Sequence, residues 1–291
     1  MQFNQKRWIK YLMISPLLLI IILLSIFPLI HLTKLAFSDY DLTEGSETYT
    51  GLANYHRMIQ DKSFWNSLEK TLLYVSISIV FELVIGLGLA LLVKDFIKLR
   101  SLIRTFVLIP MLMAPIGVGM VWKLNLKPEI GAVNIILRRI HLGRFAQAWI
   151  ADPRWAMLAI ILVEIWQWTP FVFLFLLAGL EYIPKELYDA ASVDGASISQ
   201  KFRHITLPLL TPVITTCLLL RTIDVFKAFD KIYILTGGGP SNITEIINVH
   251  LYNVCFKFLN YGYGAFLALI SIVFISMFSI VYFMITRKVA K

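Results

Sequence analysis

Six nearly continuous apolar stretches, at about residues 11–32, 70–93, 103–122, 156–180, 207–226 and 263–286, constrain this chain more than any other feature. Each approaches the roughly 20 residues that a helix needs to cross about 30 Å of hydrocarbon. Hydrocarbon offers no water to backbone N–H and C=O groups, so a stretch that crosses it must satisfy them internally, as a helix does. Only 15% of the residues are charged and the mean hydropathy is +0.74, whereas ordinary soluble domains carry about a quarter charged residues. The expected class is an all-α polytopic membrane protein with six spans.

The first stretch follows Lys6, Arg7 and Lys10 and is interrupted by Pro16 and Pro28. It lacks a small-residue cleavage site and is long enough to span, so it reads as an uncleaved first helix rather than a signal peptide. Six spans place both termini on one side. The segments on that side, 1–10, 94–104, 181–206 and 287–291, hold roughly one Lys or Arg in four residues, against roughly one in nine in the opposite loops. Both termini and the 181–206 segment are therefore expected in the cytoplasm. Arg138, Arg139, Arg144 and Arg154 in the 123–155 loop run against this count, but the loop is long and charges far from span ends weigh less. The net charge of +9 follows the same bias, and no nucleic-acid partner is inferred from it. Cys217 and Cys255 form no disulfide framework.

The outer loops combine turn residues with interfacial aromatics. Trp122, Trp149 and Trp155 suit an aromatic belt. Gly237, Gly238, Gly239 and Pro240 cannot continue a helix and must turn sharply. The expected domain division is residues 1–66, the first helix and first outer loop, and 67–291, a five-helix core with a cytoplasmic loop at 181–208.

That loop is polar and helix-forming. Pro184 suits a first helical turn, Leu187, Ala190 and Ala191 share a face, and Gly195 ends the helix. Ser197 to Gln200 has the capping-box pattern of a second helix, with Ile198, Phe202 and Ile205 on its apolar side and Pro208 closing it. A plain interfacial linker would look much the same. The flat alanine surface and the acidic Asp189 and Asp194, however, suit a protein interface better than anionic headgroups.

The stretch Glu186-Leu187-Tyr188-Asp189-Ala190-Ala191, followed by Asp194-Gly195-Ala196 and by Phe202, Ile205, Leu207, Pro208 and Pro212, resembles the "EAA" motif of ABC-importer permeases. It is similar above all to those of maltose, glycerol-phosphate and oligosaccharide uptake systems. Asp189 departs from that pattern, which has Glu there. Gly51-Leu52-x-Asn54-Tyr55, Gly131-x-x-Asn134 and the run from Phe229 to Pro240 also resemble this family, the last resembling the maltose-type "F" partner. The resemblance covers about residues 10–285. It implies a type I importer permease fold and pairing with a second, homologous permease. It further implies two ATPase subunits, one of them docked on Glu186, Leu187, Asp189, Ala190, Ala191, Asp194, Gly195 and Phe202 of this chain, and an extracytoplasmic binding protein that delivers a carbohydrate. The Gly237–Pro240 turn becomes an outer gate loop. This chain has no Gly-x-x-x-x-Gly-Lys-Ser/Thr, so ATP and Mg belong to the partners.

Ionisable residues within spans are costly and are functional suspects. Glu82 is expected to bond a neighbouring helix. Glu164, Arg221 and Asp224 are candidates for a substrate path. Arg221 and Asp224, three apart, could pair with each other or line a midplane cavity, where Asp224 would accept sugar hydroxyls or Arg221 would hold an anionic group. Trp166 and Gln167 in span four offer the aromatic platform and the amide that a sugar site needs. Pro110, Pro115 and Pro170 can bend spans three and four. The alternative reading, a self-sufficient secondary transporter or channel for a small polar solute, calls for internal repeats, and none is evident. The five histidines are scattered without metal spacing, which argues against an intramembrane enzyme.

Overall fold

The computed structural model describes residues 5–41, 46–94 and 100–289. Its elements run α1 (Gln5–Ile21), a π segment (Ile22–Ile26), α2 (Phe27–Ala36), β1 (Ser38–Asp41), β2 (Ser46–Tyr49), α3 (Ala53–Gln60), α4 (Lys62–Lys94), α5 (Arg100–Leu112), α6 (Pro115–Asn125), α7 (Ala132–Arg139), α8 (Pro153–Glu181), α9 (Lys185–Val193), α10 (Ile198–Lys201), a second π segment (Phe202–Thr206), α11 (Leu207–Phe226), α12 (Asp230–Thr236), α13 (Ile247–Tyr252), a third π segment (Asn253–Lys257) and α14 (Tyr261–Val289). Among the described residues, five helices are long and apolar enough to cross a membrane, and a sixth crossing results if α5 and α6 count as one broken span.

The chain divides into two compact units. The first takes in residues 1–64 and 251–274. Its first span, Tyr11–Ala36, presents apolar side chains all round, as suits a helix surrounded by lipid or by another membrane subunit. Past its end a hairpin pairs β1 with β2, Ser38 opposite Tyr49. Lys34 Nζ bonds Glu47 Oε2 at 2.8 Å and Ser38 Oγ donates to Glu47 Oε1 at 3.0 Å. These two bonds hold the Glu47 carboxyl below the usual range. Asn54 Nδ2 donates to the Ala36 carbonyl at 2.9 Å, and the Tyr263 hydroxyl donates to Asp61 Oδ2 at 2.6 Å with the Arg57 guanidinium 4.2 Å from the Tyr263 ring centre.

Here Gly262 is required by close approach, because a Cβ on it would run into the Ser38 carbonyl oxygen. Gly262→Ala is expected to destabilise the subunit by about 1–3 kcal/mol. A thermal-unfolding scan in detergent checks this. Gly88→Ala, where a Cβ meets nothing within 4 Å, serves as the neutral control.

The second unit comprises residues 65–250 and 275–291. Its centre is α8, two-thirds buried (67%) over its most apolar window. Asp152 caps α8 by accepting from Arg154 N at 2.9 Å, and Pro153 opens it. One apolar cluster gathers Tyr74, Val118, Ile160, Val163 and Phe226, and another gathers Ala90, Val172, Phe173, Leu176, Leu180 and Leu210. Asn134 organises the loop before α8. Its Nδ2 donates to the carbonyls of Pro128 and Gln147 at 3.0 and 2.8 Å, and its Oδ1 accepts from Trp149 Nε1 at 2.8 Å. The three expected belt tryptophans are half-buried and pack edge to face, Trp149 on Trp155 and Trp122 on Trp166.

Two expectations change. Span three is not one gently bent helix, since α5 and α6 meet at 100° across Met113-Ala114. Pro115, with φ fixed and no N–H to give, starts α6 at its first turn instead of continuing α5. Pro110 and Pro170, by contrast, lie inside continuous helices. Finally, Pro208 does not close a separate short helix, because α10, the second π segment and α11 form a single rod, Ile198–Phe226. A proline ring clashes with the carbonyl four residues back, here that of His204, and a turn widened by one residue relieves the clash. The π segment at Ile22–Ile26 stands in the same relation to Pro28.

Candidate functional site

At the heart of the second unit lies a buried charge network. On α4, Tyr74 and Glu82 are eight residues apart and so share a helix face. On α8, Glu164, Gln167 and Trp168 share another. Arg221 of α11 reaches both glutamates: Nε and Nη2 bond Glu82 at 2.8 and 2.9 Å, and Nη2 bonds Glu164 at 2.8 Å. The other Glu164 oxygen accepts from the Tyr74 hydroxyl at 2.5 Å and from the Lys231 ammonium of α12. Lys231 also donates to Gln167 Oε1 at 2.9 Å. Arg221, Glu82 and Glu164 are about 1% exposed and Lys231 4%, so each charge depends on its partners for the solvation it lost.

One wall of a cavity of about 230 Å³ is made by this network. Glu164, Arg221 and Lys231 line it together with Trp168, Pro115 and Phe229, and Asp224, Lys227 and Asp230 form its exposed rim. The Arg221 guanidinium stands 4.8 Å from the Trp168 ring centre, within cation–π range.

Of the residues expected on a substrate path, Glu164, Arg221 and Asp224 line the cavity. Arg221 and Asp224 do not pair, because Arg221 is taken up by Glu82 and Glu164 while Asp224 lies 3.9 Å from Lys227 at the surface. Trp166 points elsewhere and packs 5.3 Å from Trp122. Gln167 is fully buried and also donates to the Met113 carbonyl at 3.2 Å, sealing the α5–α6 break. The tryptophan on the cavity is Trp168, two residues on and half a turn round the helix. Sequence reasoning missed Lys231 as well. The signal was there, since Lys231 sits with Ile232 and Leu235 on the buried face of a short helix, where an unpaired lysine would be prohibitive.

Immediately after α12 comes the glycine turn. Gly237 takes the left-handed conformation (φ 62°) and its N–H bonds the Tyr233 carbonyl at 2.9 Å. Thr244 Oγ1 donates to the Gly239 carbonyl at 2.7 Å, and Gly238 is buried while Gly239 and Pro240 are half-buried. The Gly237–Pro240 loop is a tied turn six to nine residues downstream of the cavity lysine.

At the 181–208 segment, α9 exposes Glu186, Leu187, Asp189 and Ala190, with Ala191 half-buried. Asp194 forms the C-cap, and Gly195 follows in the left-handed conformation (φ 78°) with nothing within 4 Å of its Cβ position. The capping box is present, with Ser197 N to Gln200 Oε1 at 2.7 Å and Gln200 N to Ser197 Oγ at 3.3 Å. Lys201 Nζ bonds Ser192 Oγ at 2.7 Å across the two helices, Tyr188 turns inward to Thr206 at 2.9 Å, and Phe202 is half-buried. Val193 and Ile198, each 88% exposed, stand beside the carboxylates with nothing covering them.

The family described as "Binding-protein-dependent transport system inner membrane component" matches residues 82–291. A trehalose/maltose transport system permease protein of Thermococcus litoralis is 37% identical over 95% of this chain and 93% of its own length. A sulfoquinovosyl glycerol transport system permease protein of Agrobacterium fabrum is 35% identical over 97% of this chain and 91% of its own. Among solved structures, a chain of a bacterial ABC transporter involved in importing the acidic polysaccharide alginate superposes with a TM-score of 0.86 at 23% identity, covering 99% of this chain and 98% of that one.

Proposed function

The chain belongs to the binding-protein-dependent transport system inner membrane components, and from that premise we propose that it carries a carbohydrate inward as one of two homologous permeases, driven by two ATPase subunits, one of which docks at residues 181–208 of this chain. It is a multi-pass subunit of the inner membrane and not an enzyme. The names of its relatives, for trehalose/maltose and for sulfoquinovosyl glycerol, support the cargo class.

The observation that carries the coupling role is the uncovered face of α9 and α10, where Leu187, Val193 and Ile198 stand among Glu186, Asp189 and Asp194. A water-facing segment that leaves apolar groups this exposed fits a partner surface. Since α10 is the end of the same rod as α11, a displacement of this face is passed to the helix that carries Arg221. ATP binding in the partners then opens the permease pair outward to receive sugar from the binding protein, and hydrolysis returns it inward. Charge counting supports cytoplasmic termini on the side of this face.

The test is reconstitution in liposomes with the partner subunits. Vanadate-sensitive ATP turnover is expected to rise when the binding protein is loaded with sugar. Substrate flux through the isolated chain without nucleotide would instead establish a self-sufficient transporter.

A further inference from the structure

Resting on the carbohydrate reading above, we infer that the cavity is closed to anions and takes neutral polyhydroxylated cargo, with Glu164 as the residue that determines this specificity. Two buried cations line the cavity, and the charge of each is already balanced by a buried carboxylate. Arg221 spends Nε and Nη2 on Glu82 and Glu164 at 2.8 to 2.9 Å, and Lys231 is held by Glu164 and Gln167. Glu164 bridges the two cations, so a carboxylate, sulfonate or phosphate on the cargo would meet a carboxylate already between them and would take their short contacts only by displacing it. Glu164 would then be left buried without its counter-charges, and breaking a buried pair in this way is strongly unfavourable.

The rim opposes anions too. Asp224 and Asp230 are exposed there beside the single cation of Lys227. With Glu82 directly behind Arg221, the cavity and its backing hold one more carboxylate than cations. Specificity of this kind works by repulsion as much as by attraction. For a neutral sugar the same groups are an asset, since exposed carboxylates accept hydroxyl hydrogens and Trp168 supplies an apolar edge for C–H faces.

The experiment measures equilibrium binding to the detergent-purified importer, without its binding protein, at low ionic strength. The probes are neutral disaccharides, maltose and trehalose among them, and glucuronyl disaccharides of the same size. A neutral disaccharide is expected to bind the wild type at least about tenfold tighter than its glucuronyl counterpart, and Glu164→Gln is expected to narrow that ratio by about tenfold. Should Glu164→Gln fail to give a monodisperse complex, the exposed-rim variant Asp224→Asn/Asp230→Asn takes its place and must shift the ratio in the same direction. Glucuronyl disaccharides binding the wild type as tightly as neutral ones would overturn the inference and leave the carbohydrate reading standing. Ratios unchanged in the variants would overturn the role of these carboxylates. Binding of neither class, with no sugar uptake by the complete importer, would overturn both.

Discussion

Arg221→Met is expected to destabilise the folded subunit severely. The guanidinium is 1% exposed and compensates two glutamates on two other helices. Without it, Glu164 keeps Tyr74 and Lys231, but Glu82 is left as a buried carboxylate without a cation. Removing one partner of a buried pair costs about 3–5 kcal/mol, a large share of the roughly 5–15 kcal/mol by which domains are stable. Yield from membranes and resistance to thermal unfolding in detergent report the loss. Arg221→Met/Glu82→Gln is expected to recover much of it, because the double change removes the orphaned charge together with its partner. Arg221→Lys keeps the charge but lacks the fork that engages both carboxylates, so it falls between the two. An Arg221→Met subunit as stable as the wild type would refute the structural role of the network.

Gly195→Pro is expected to have the opposite profile, a stable subunit with transport reduced at least about tenfold. Proline holds φ near −65°, whereas Gly195 adopts +78° and donates its N–H to the Ser192 carbonyl at 3.1 Å. The turn between α9 and α10 must therefore re-form at another angle. No core packing depends on it, since the position is exposed and empty around its Cβ site. Nucleotide-driven uptake, measured beside the thermal midpoint, separates coupling from stability. Normal transport by this variant would show that the 181–208 segment does not transmit the ATPase motion.

What the sequence revealed about this protein was largely local. Span positions followed from apolar length. The Gly195 stop and the Ser197–Gln200 box followed from backbone chemistry that operates within four residues. The charge network was only half legible. Glu82, Glu164 and Arg221 stood out as ionisable groups inside spans, yet Arg221 pairs with Glu82, 139 residues away on α4, and with Glu164, 57 away on α8, rather than with the nearby Asp224. Periodicity within one helix carries no information about which helix will face it. Helical phase was also the reason Trp166 and Trp168 exchanged places, because in Trp166-Gln167-Trp168 every direction around α8 is occupied by a plausible ligand and only packing on Trp122 decides. Lys231 was hidden for a different reason. It was counted among outer-loop charges, where the count treats every lysine as solvated.

The widened turn at Phe202–Thr206 has a consequence for anyone who would graft the proposed docking segment onto another span. Each residue of an α-helix advances the face by about 100°, so the extra residue in that turn sets the angular offset between Ile198 on the docking side and Arg221 on the cavity side. A chimera joined at Lys201 onto a regular helix would inherit the right contacts pointing in the wrong direction. The portable unit therefore runs from α9 through Pro208, with the wide turn included as its protractor.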